Sequence, residues 1–169
     1  MDEVHERADG GLNMGILLRV DDKLCHGQVT YLWIKKMKID RLMIADDRLV
    51  ADNFSQVILK LSKPAGVEQE ILTVRAAIKR LAEEHRDENL LVLVGSIENA
   101  WQIAAACPGI RRVSIGAVRQ HRGSRACSPH IYLDDEELEW CKNMIQSGIQ
   151  LECRYGYDDP LIDLSPFLG

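Results

Sequence analysis

The stretch Ile16-Leu17-Leu18-Arg19-Val20-Asp21-Asp22-Lys23-Leu24-Cys25-His26-Gly27-Gln28-Val29 runs from an apolar segment into two acids, a histidine and a glycine. Residues 16–20 have the density of apolar side chains expected of a buried strand. From Gln28 the pattern changes: Val29, Leu32, Trp33 and Met37 recur at helical spacing over 28–37. The turn between them holds one imidazole, His26, beside the carboxylates of Asp21 and Asp22. Backbone amides around Gly27 and at the helix start make the same turn a seat for an anion.

Outward from this turn, short apolar runs alternate with amphipathic stretches. Strands are expected at 41–46, 67–74, 90–95, 112–116, 130–133 and 149–155. Helices are expected at 53–62, 75–85 and 98–106, and from Asp134 to Gly148. Pro64-Ala65-Gly66 and Pro108-Gly109 punctuate the pattern. Asp134 followed by Glu137 has the spacing of a capping box. Residues 117–129 read as a basic, glycine-containing loop and the tail 156–169 as irregular. Such alternation predicts an α/β fold, an open and mostly parallel central sheet with helices on both faces, in a single domain. Ligand chemistry in such sheets lies at the carboxyl ends of the strands. The His26 turn, Asp46-Asp47, Gly95-Ser96 and the basic loop all follow strands.

The 169 residues, 46% hydrophobic and 28% charged, suit one globular domain. The expected boundaries are an N-terminal extension at 1–13, without fixed structure, and a folded domain at 14–169. The net charge of -5 excludes nonspecific nucleic-acid binding, while leaving room for local basic patches. Five cysteines, an odd number without a C-x-x-C pair, exclude a disulfide framework and a zinc site and point to a reducing, cytoplasmic compartment. No apolar stretch is long enough to span a bilayer. The polar opening is not a signal peptide.

A neutral imidazole is nucleophilic and titrates near neutrality, with a reference pKa of about 6.5. It can accept a phosphoryl group and pass it on, because the P–N bond stays labile. Asp21 or Asp22 would hydrogen-bond one ring nitrogen and expose the other. Gly27 and Gln28 would offer amides to the phosphate. Arg19, Lys23, Arg119 and Arg122 would neutralise it, with His121 and Arg125 in the same basic cluster. A lone histidine in a turn more often just bonds a carbonyl; the eleven-residue string from Arg19 to Val29 carries the stronger reading. Asp46 or Asp47 caps the turn that follows rather than chelating Mg²⁺, and Ser96 reads as a helix cap. No metal and no cofactor are assigned.

The string resembles the R-[IV]-D-D-R-L-I-H-G-Q-V signature of the IIB component of the mannose/fructose/sorbose family of the bacterial sugar phosphotransferase system. The resemblance continues through D-R-L-M-I-A-D-D, A-D-N-F and L-K-L-S-K-P-A-G-V, the G-A-V loop, and Asp134 to Glu137, from Ile16 to about Leu164. It implies an open α/β sheet with the histidine in the first strand-to-helix loop. It implies that His26 accepts a phosphoryl group from phosphohistidine on a IIA partner and donates it to a sugar entering through the membrane components IIC and IID. The implied place is the cytoplasm, peripherally at the inner face of the membrane. Three positions depart from the pattern. Lys23 stands where arginine is usual, a point charge without the bidentate fork. Cys25 replaces isoleucine, a small apolar substitute facing the core. Gly116-Ala117 replaces two glycines, which would reduce backbone flexibility. The alternative is a regulatory or interaction module on the same fold, signalling sugar or phosphorylation status without transport.

Overall fold

A computed structural model describes residues 15–24, 27–83 and 88–169, with the backbone alone at Gln28. The expected extension at 1–13, Cys25, His26 and the end of the helix expected at 75–85 lie outside the described residues. In chain order the strands are β1 (Ile16–Asp21), β2 (Arg41–Ala45), β3 (Glu68–Leu72), β4 (Leu90–Val94), β5 (Arg112–Ala117), β6 (Arg125–Ser128), β7 (Ile131–Leu133) and β8 (Gln150–Cys153). The helices are α1 (Gly27–Met37), α2 (Asp47–Val50), α3 (Asn53–Leu61), α4 (Val74–Glu83), α5 (Ile97–Ala106) and α6 (Asp135–Gln146).

Six strands form one parallel sheet in the order β3-β2-β4-β1-β5-β8. β1 therefore lies inside, in register with β4 from Ile16↔Leu90 to Val20↔Val94. Its central place follows from its sequence: every residue from Leu17 to Asp21 is buried, as are all five of β4, Leu-Leu-Val-Leu-Val. Each apolar side chain among them contributes roughly 1.5–3 kcal/mol by leaving water, whereas Arg19 and Asp21 are buried at a desolvation cost that their partners must offset. Alternate side chains point to opposite faces. Leu17, Leu42, Ile44, Leu91 and Leu93 join Trp33 and Ile34 of α1, Leu49 of α2 and Leu59 of α3. Leu18, Val20, Val92, Val94 and Ile115 join α4, α5 and α6 through Ala77, Ile103 and Cys141. Helices thus cover both faces, as the alternation predicted.

Local chemistry fixes the helix starts. Ser96 Oγ accepts the amide of Asn99 ahead of α5. Asp134 and Glu137 form the full capping box of α6, Oδ1 of Asp134 accepting the Glu137 amide at 2.8 Å and Glu137 Oε2 the Asp134 amide at 2.9 Å. The loop expected at 117–129 needs correction, because it contains strand β6; the strand expected at 130–133 is present as β7, outside the main sheet. β6 and β7 instead pair antiparallel as a separate ribbon, tied to the end of β5 by Val118↔Ile131. Asp47 also opens a short helix, α2, where only a capped turn was expected.

Candidate functional site

From β1 the chain moves toward β2, and from β5 toward β8, so connections diverge at the carboxyl ends of these two neighbours. That is where an open parallel sheet forms a crevice. Asp21 and Asp22 emerge here. The Leu24 amide donates to the Asp21 carbonyl at 2.8 Å and the Lys23 amide to Asp21 Oδ1 at 3.0 Å, giving a tight turn. Leu24 has φ +54° and Gly27 φ +55°, so two left-handed residues bracket positions 25 and 26. At Leu24 this conformation costs about 1–2 kcal/mol. At Gly27 the missing Cβ removes most of that cost.

α1 begins immediately afterwards. Its first amides have no partner within the helix, as at any helix start. Its first turn carries no acidic residue, so its positive pole is not neutralised from within. Lys23 and Gly27 are exposed beside it. Across the crevice, the loop after β5 brings Arg119 to Asp22. The Arg119 amide and Nε donate to the same oxygen, Oδ2 of Asp22, at 2.7 and 2.8 Å. The Asp22 amide donates to the Ala117 carbonyl at 3.0 Å. Two segments almost a hundred residues apart in sequence are thereby closed over the rim. Arg119 remains largely exposed while Asp22 is mostly buried. Arg122 stands exposed farther along the loop, and Arg125 is paired with Asp135 at 2.6 Å.

Arg19 is in a different place from the one expected of a surface phosphate ligand. Its side chain is 1% exposed. Nη1 donates to Ser114 Oγ at 2.9 Å and to the Arg154 carbonyl at 3.2 Å, and Nη2 to the Tyr155 carbonyl at 2.5 Å. The guanidinium lies over the Trp33 ring, 4.2 Å from its centre. Burial lowers its pKa to about 10, with the nearby Asp21 carboxylate opposing the shift and Arg154 adding to it. It stays charged at neutral pH and holds β1, β5 and the chain after β8 together beneath the rim. Gly116 also takes a different meaning. It sits within β5, and a Cβ there would fall on the Arg19 guanidinium. Its constraint is close approach rather than loop flexibility.

Trp33 was expected only as packing on the face of α1, and the other aromatic groups around this anchor were not singled out by the sequence. Tyr157 meets Trp33 edge to face at 5.1 Å, and the Arg154 guanidinium lies 5.0 Å from both ring centres. His130 stacks on Tyr155 at 4.0 Å. A glycine in a fully buried strand was the one signal that pointed to such a contact.

On the other side of the turn, Asp46, Asp47, Arg48, Gly95, Ser96, Glu98 and Asn99 line an open cleft of about 230 Å³. Its acids are partly occupied by caps. Asp46 Oδ1 accepts the Leu49 amide at 2.9 Å, and Asp47 Oδ1 the Val74 amide at 2.8 Å. Among the described residues, one cluster brings histidine and carboxylates together: His121, Asp134 and Glu137. His121 Nε2 is 3.3 Å from Asp134 Oδ2 and 3.1 Å from Glu137 Oε2, the geometry of an ion pair. Its pKa is raised, chiefly by the Arg119 carbonyl; burial opposes this as the next largest effect, and the Glu137 and Asp134 carboxylates add to the rise. Cys107, Cys141 and Cys153 are free and buried, and Cys127 is half-buried.

The site therefore unites Asp21, Asp22, Lys23, Gly27, the start of α1 and Arg119. Arg19 supports it from below. For Gln28 only the backbone position, in the first turn of α1, is described, and His26 lies outside the described residues.

The family model of the PTS system sorbose subfamily IIB component matches residues 16–169. The chain is 30% identical over 134 residues to a probable phosphotransferase enzyme IIB component of Streptococcus pyogenes serotype M6, covering 76% of this chain and 82% of that protein. It is 27% identical to the sorbose-specific EIIB component of Lacticaseibacillus casei, covering 88% of this chain and 91% of the relative. Among solved structures, the IIBSor domain of the sorbose permease from Klebsiella pneumoniae superposes with a TM-score of 0.83 at 23% identity, covering 89% of this chain and 94% of that one.

Proposed function

The chain belongs to the sorbose-subfamily IIB components of the phosphotransferase system, and from that membership we propose that His26 is its phosphoryl carrier. A ring nitrogen of His26 attacks the phosphorus of a phosphohistidine on a IIA partner. The new P–N bond forms as the donor P–N bond breaks, and that electron pair returns to the donor imidazole. In the second step a sugar hydroxyl oxygen attacks the phosphorus. The P–N bond to His26 breaks, its electrons return to the His26 ring, and the hydroxyl proton passes to a base. Positioning and charge stabilisation supply most of the rate gain in such transfers.

One observation supports this reading above the others: Leu24 and Gly27, the described residues on either side of position 26, link the end of β1, which neighbours β5, to a helix start with no acid of its own. Amides at Gly27 and Gln28 would receive the phosphate. Lys23, Arg119 and Arg122 would neutralise it. Asp21 or Asp22 would orient the ring, Asp22 with one oxygen already committed to Arg119. The partners on this reading are a phosphorylated IIA, the membrane components IIC and IID, and the incoming sugar. The protein would work in the cytoplasm, at the inner face of the membrane. No helix among the described residues is long and apolar enough to cross it.

Phosphoenolpyruvate, the general phosphotransferase proteins and a IIA protein should add one acid-labile phosphate to the wild-type chain and none to His26→Ala. Labelling that survives the substitution overturns the assignment. Labelling of His26 with no sugar phosphate formed in membranes containing IIC and IID would transfer the protein to the regulatory class.

A further inference from the structure

His121 sits at the tip of the loop that carries Arg119. Its amide donates to Ser124 Oγ at 2.9 Å, and that hydroxyl donates back to the His121 carbonyl at 2.7 Å, so the tip is a closed turn. Nδ1 is 3.1 Å from the Arg119 carbonyl. A carbonyl only accepts, so Nδ1 carries a proton. Nε2 faces Asp134 Oδ2 and Glu137 Oε2, whose carboxylates are fixed in the capping box of α6. Ionised carboxylates also only accept. A ring with a single proton would turn its Nε2 lone pair on two anionic oxygens. The cluster is complete only when it holds a second proton, shared by the three groups as a unit.

The charged groups around the ring are accounted for. Asp134 and Glu137 face it from the start of α6. Asp135 on the same turn is occupied by Arg125 from β6, and Glu136 is exposed. The loop's own Arg119 turns its guanidinium away, to Asp22. No other cation is paired with Asp134 or Glu137 among the described residues.

We propose that His121, as an imidazolium, is a positioning residue for phosphoryl transfer: it pins the loop after β5 to the start of α6 and so holds Arg119 against Asp22. This rests on the reading of His26 as the phosphoryl seat. The position is one-third exposed, so its proton exchanges freely with solvent. Its folded pKa is raised by the Arg119 carbonyl first and the carboxylates next. The pin is then fully present below the ordinary histidine pKa and is lost as pH rises through the elevated one. The loop would grip fully at mildly acidic pH and slacken as pH rises through the elevated His121 pKa.

Three full-length proteins test this: wild type, His121→Arg, whose charge does not titrate, and His121→Gln, which has none. The first measurement follows the Arg119 Nε–H resonance and the His121 ring by NMR between about pH 6 and pH 9. In wild type the Arg119 signal should move with the His121 titration. In the arginine variant it should stay fixed, and in the glutamine variant it should be displaced throughout. The second measurement is the initial rate of His26 labelling, taken as the ratio of wild type to the arginine variant. That ratio should fall about threefold across the His121 titration, the size expected for loss of one partly exposed ion pair. An Arg119 signal indifferent to the state of residue 121, or a flat ratio, overturns the inference. If none of the three is labelled, the phosphoryl-carrier reading fails, and the Arg119 signal alone decides whether His121 positions the loop.

Discussion

Arg119 and Asp22 are joined twice at one atom: the backbone amide and Nε of Arg119 both donate to Oδ2 of Asp22, at 2.7 and 2.8 Å. The arginine side chain is 72% exposed and the aspartate side chain 12%. The pair therefore holds a rim together without being part of a core.

Its contribution to folding should be small. Arg119→Ala should cost under about 1 kcal/mol in urea denaturation, as exposed pairs do. On the proposed role, the same change should slow phosphoryl uptake at His26 about tenfold, since it removes both a latch on the turn and a cation beside the phosphate. Equal losses in stability and uptake would reduce Arg119 to a structural residue.

Gly116→Ala should act in the opposite way. The added methyl meets the Arg19 guanidinium, which is itself held by Ser114 and two carbonyls and cannot withdraw freely. Overpacking of this kind costs about 1–3 kcal/mol. The urea midpoint should drop without a change in slope. A variant as stable as wild type would show that the guanidinium has room the structure does not reveal.

Much of this architecture was readable from local patterns. The strand-helix alternation, the Asp134–Glu137 box and the Ser96 cap each depend on residues within a few positions of one another. Arg19 was misplaced because its acceptors lie 95, 135 and 136 residues away. No local pattern separates an arginine reaching for a ligand from one buried under a sheet. β6 was missed because Arg-Ala-Cys-Ser is short and largely exposed, without the alternation that marks a half-buried strand. Arg119 was identified by its charge, but its tie to Asp22 required the order of the strands. That order places β1 against β5.

Lys23 is exposed next to the turn and has no ion-pair partner among the described residues. A lysine offers a point charge, whereas arginine grips two phosphate oxygens at once. Lys23→Arg should therefore raise the rate of His26 labelling by a few-fold, with stability within about 0.5 kcal/mol of wild type. An unchanged or lower rate would place residue 23 away from the phosphate.

The buried thiols set an alkaline limit. Burial raises Cys153 to about 12 and Cys141 further still, with neighbouring thiols and acids adding smaller increments. The folded chain keeps protons that the unfolded chain releases above the ordinary cysteine pKa of about 8.5. Stability should therefore decline as pH rises beyond about 9, and more slowly in Cys141→Ala, once corrected for that variant's lower starting stability. In a Cys25→Ser background at pH 8, a thiol reagent should modify Cys127 well before Cys107, Cys141 or Cys153. Fast modification of all four would mean that the helices over β5 and β8 open readily.

The carbonyls of Arg154 and Tyr155 lie past the last strand, yet they are what a charge at the centre of the sheet rests on. Anyone trimming this domain for fusion or crystallisation should leave the chain intact through at least Tyr157. A cut at Cys153 would strip a buried, permanent cation of two of its three acceptors, and the damage would surface at the opposite end of the sequence, in the first turn.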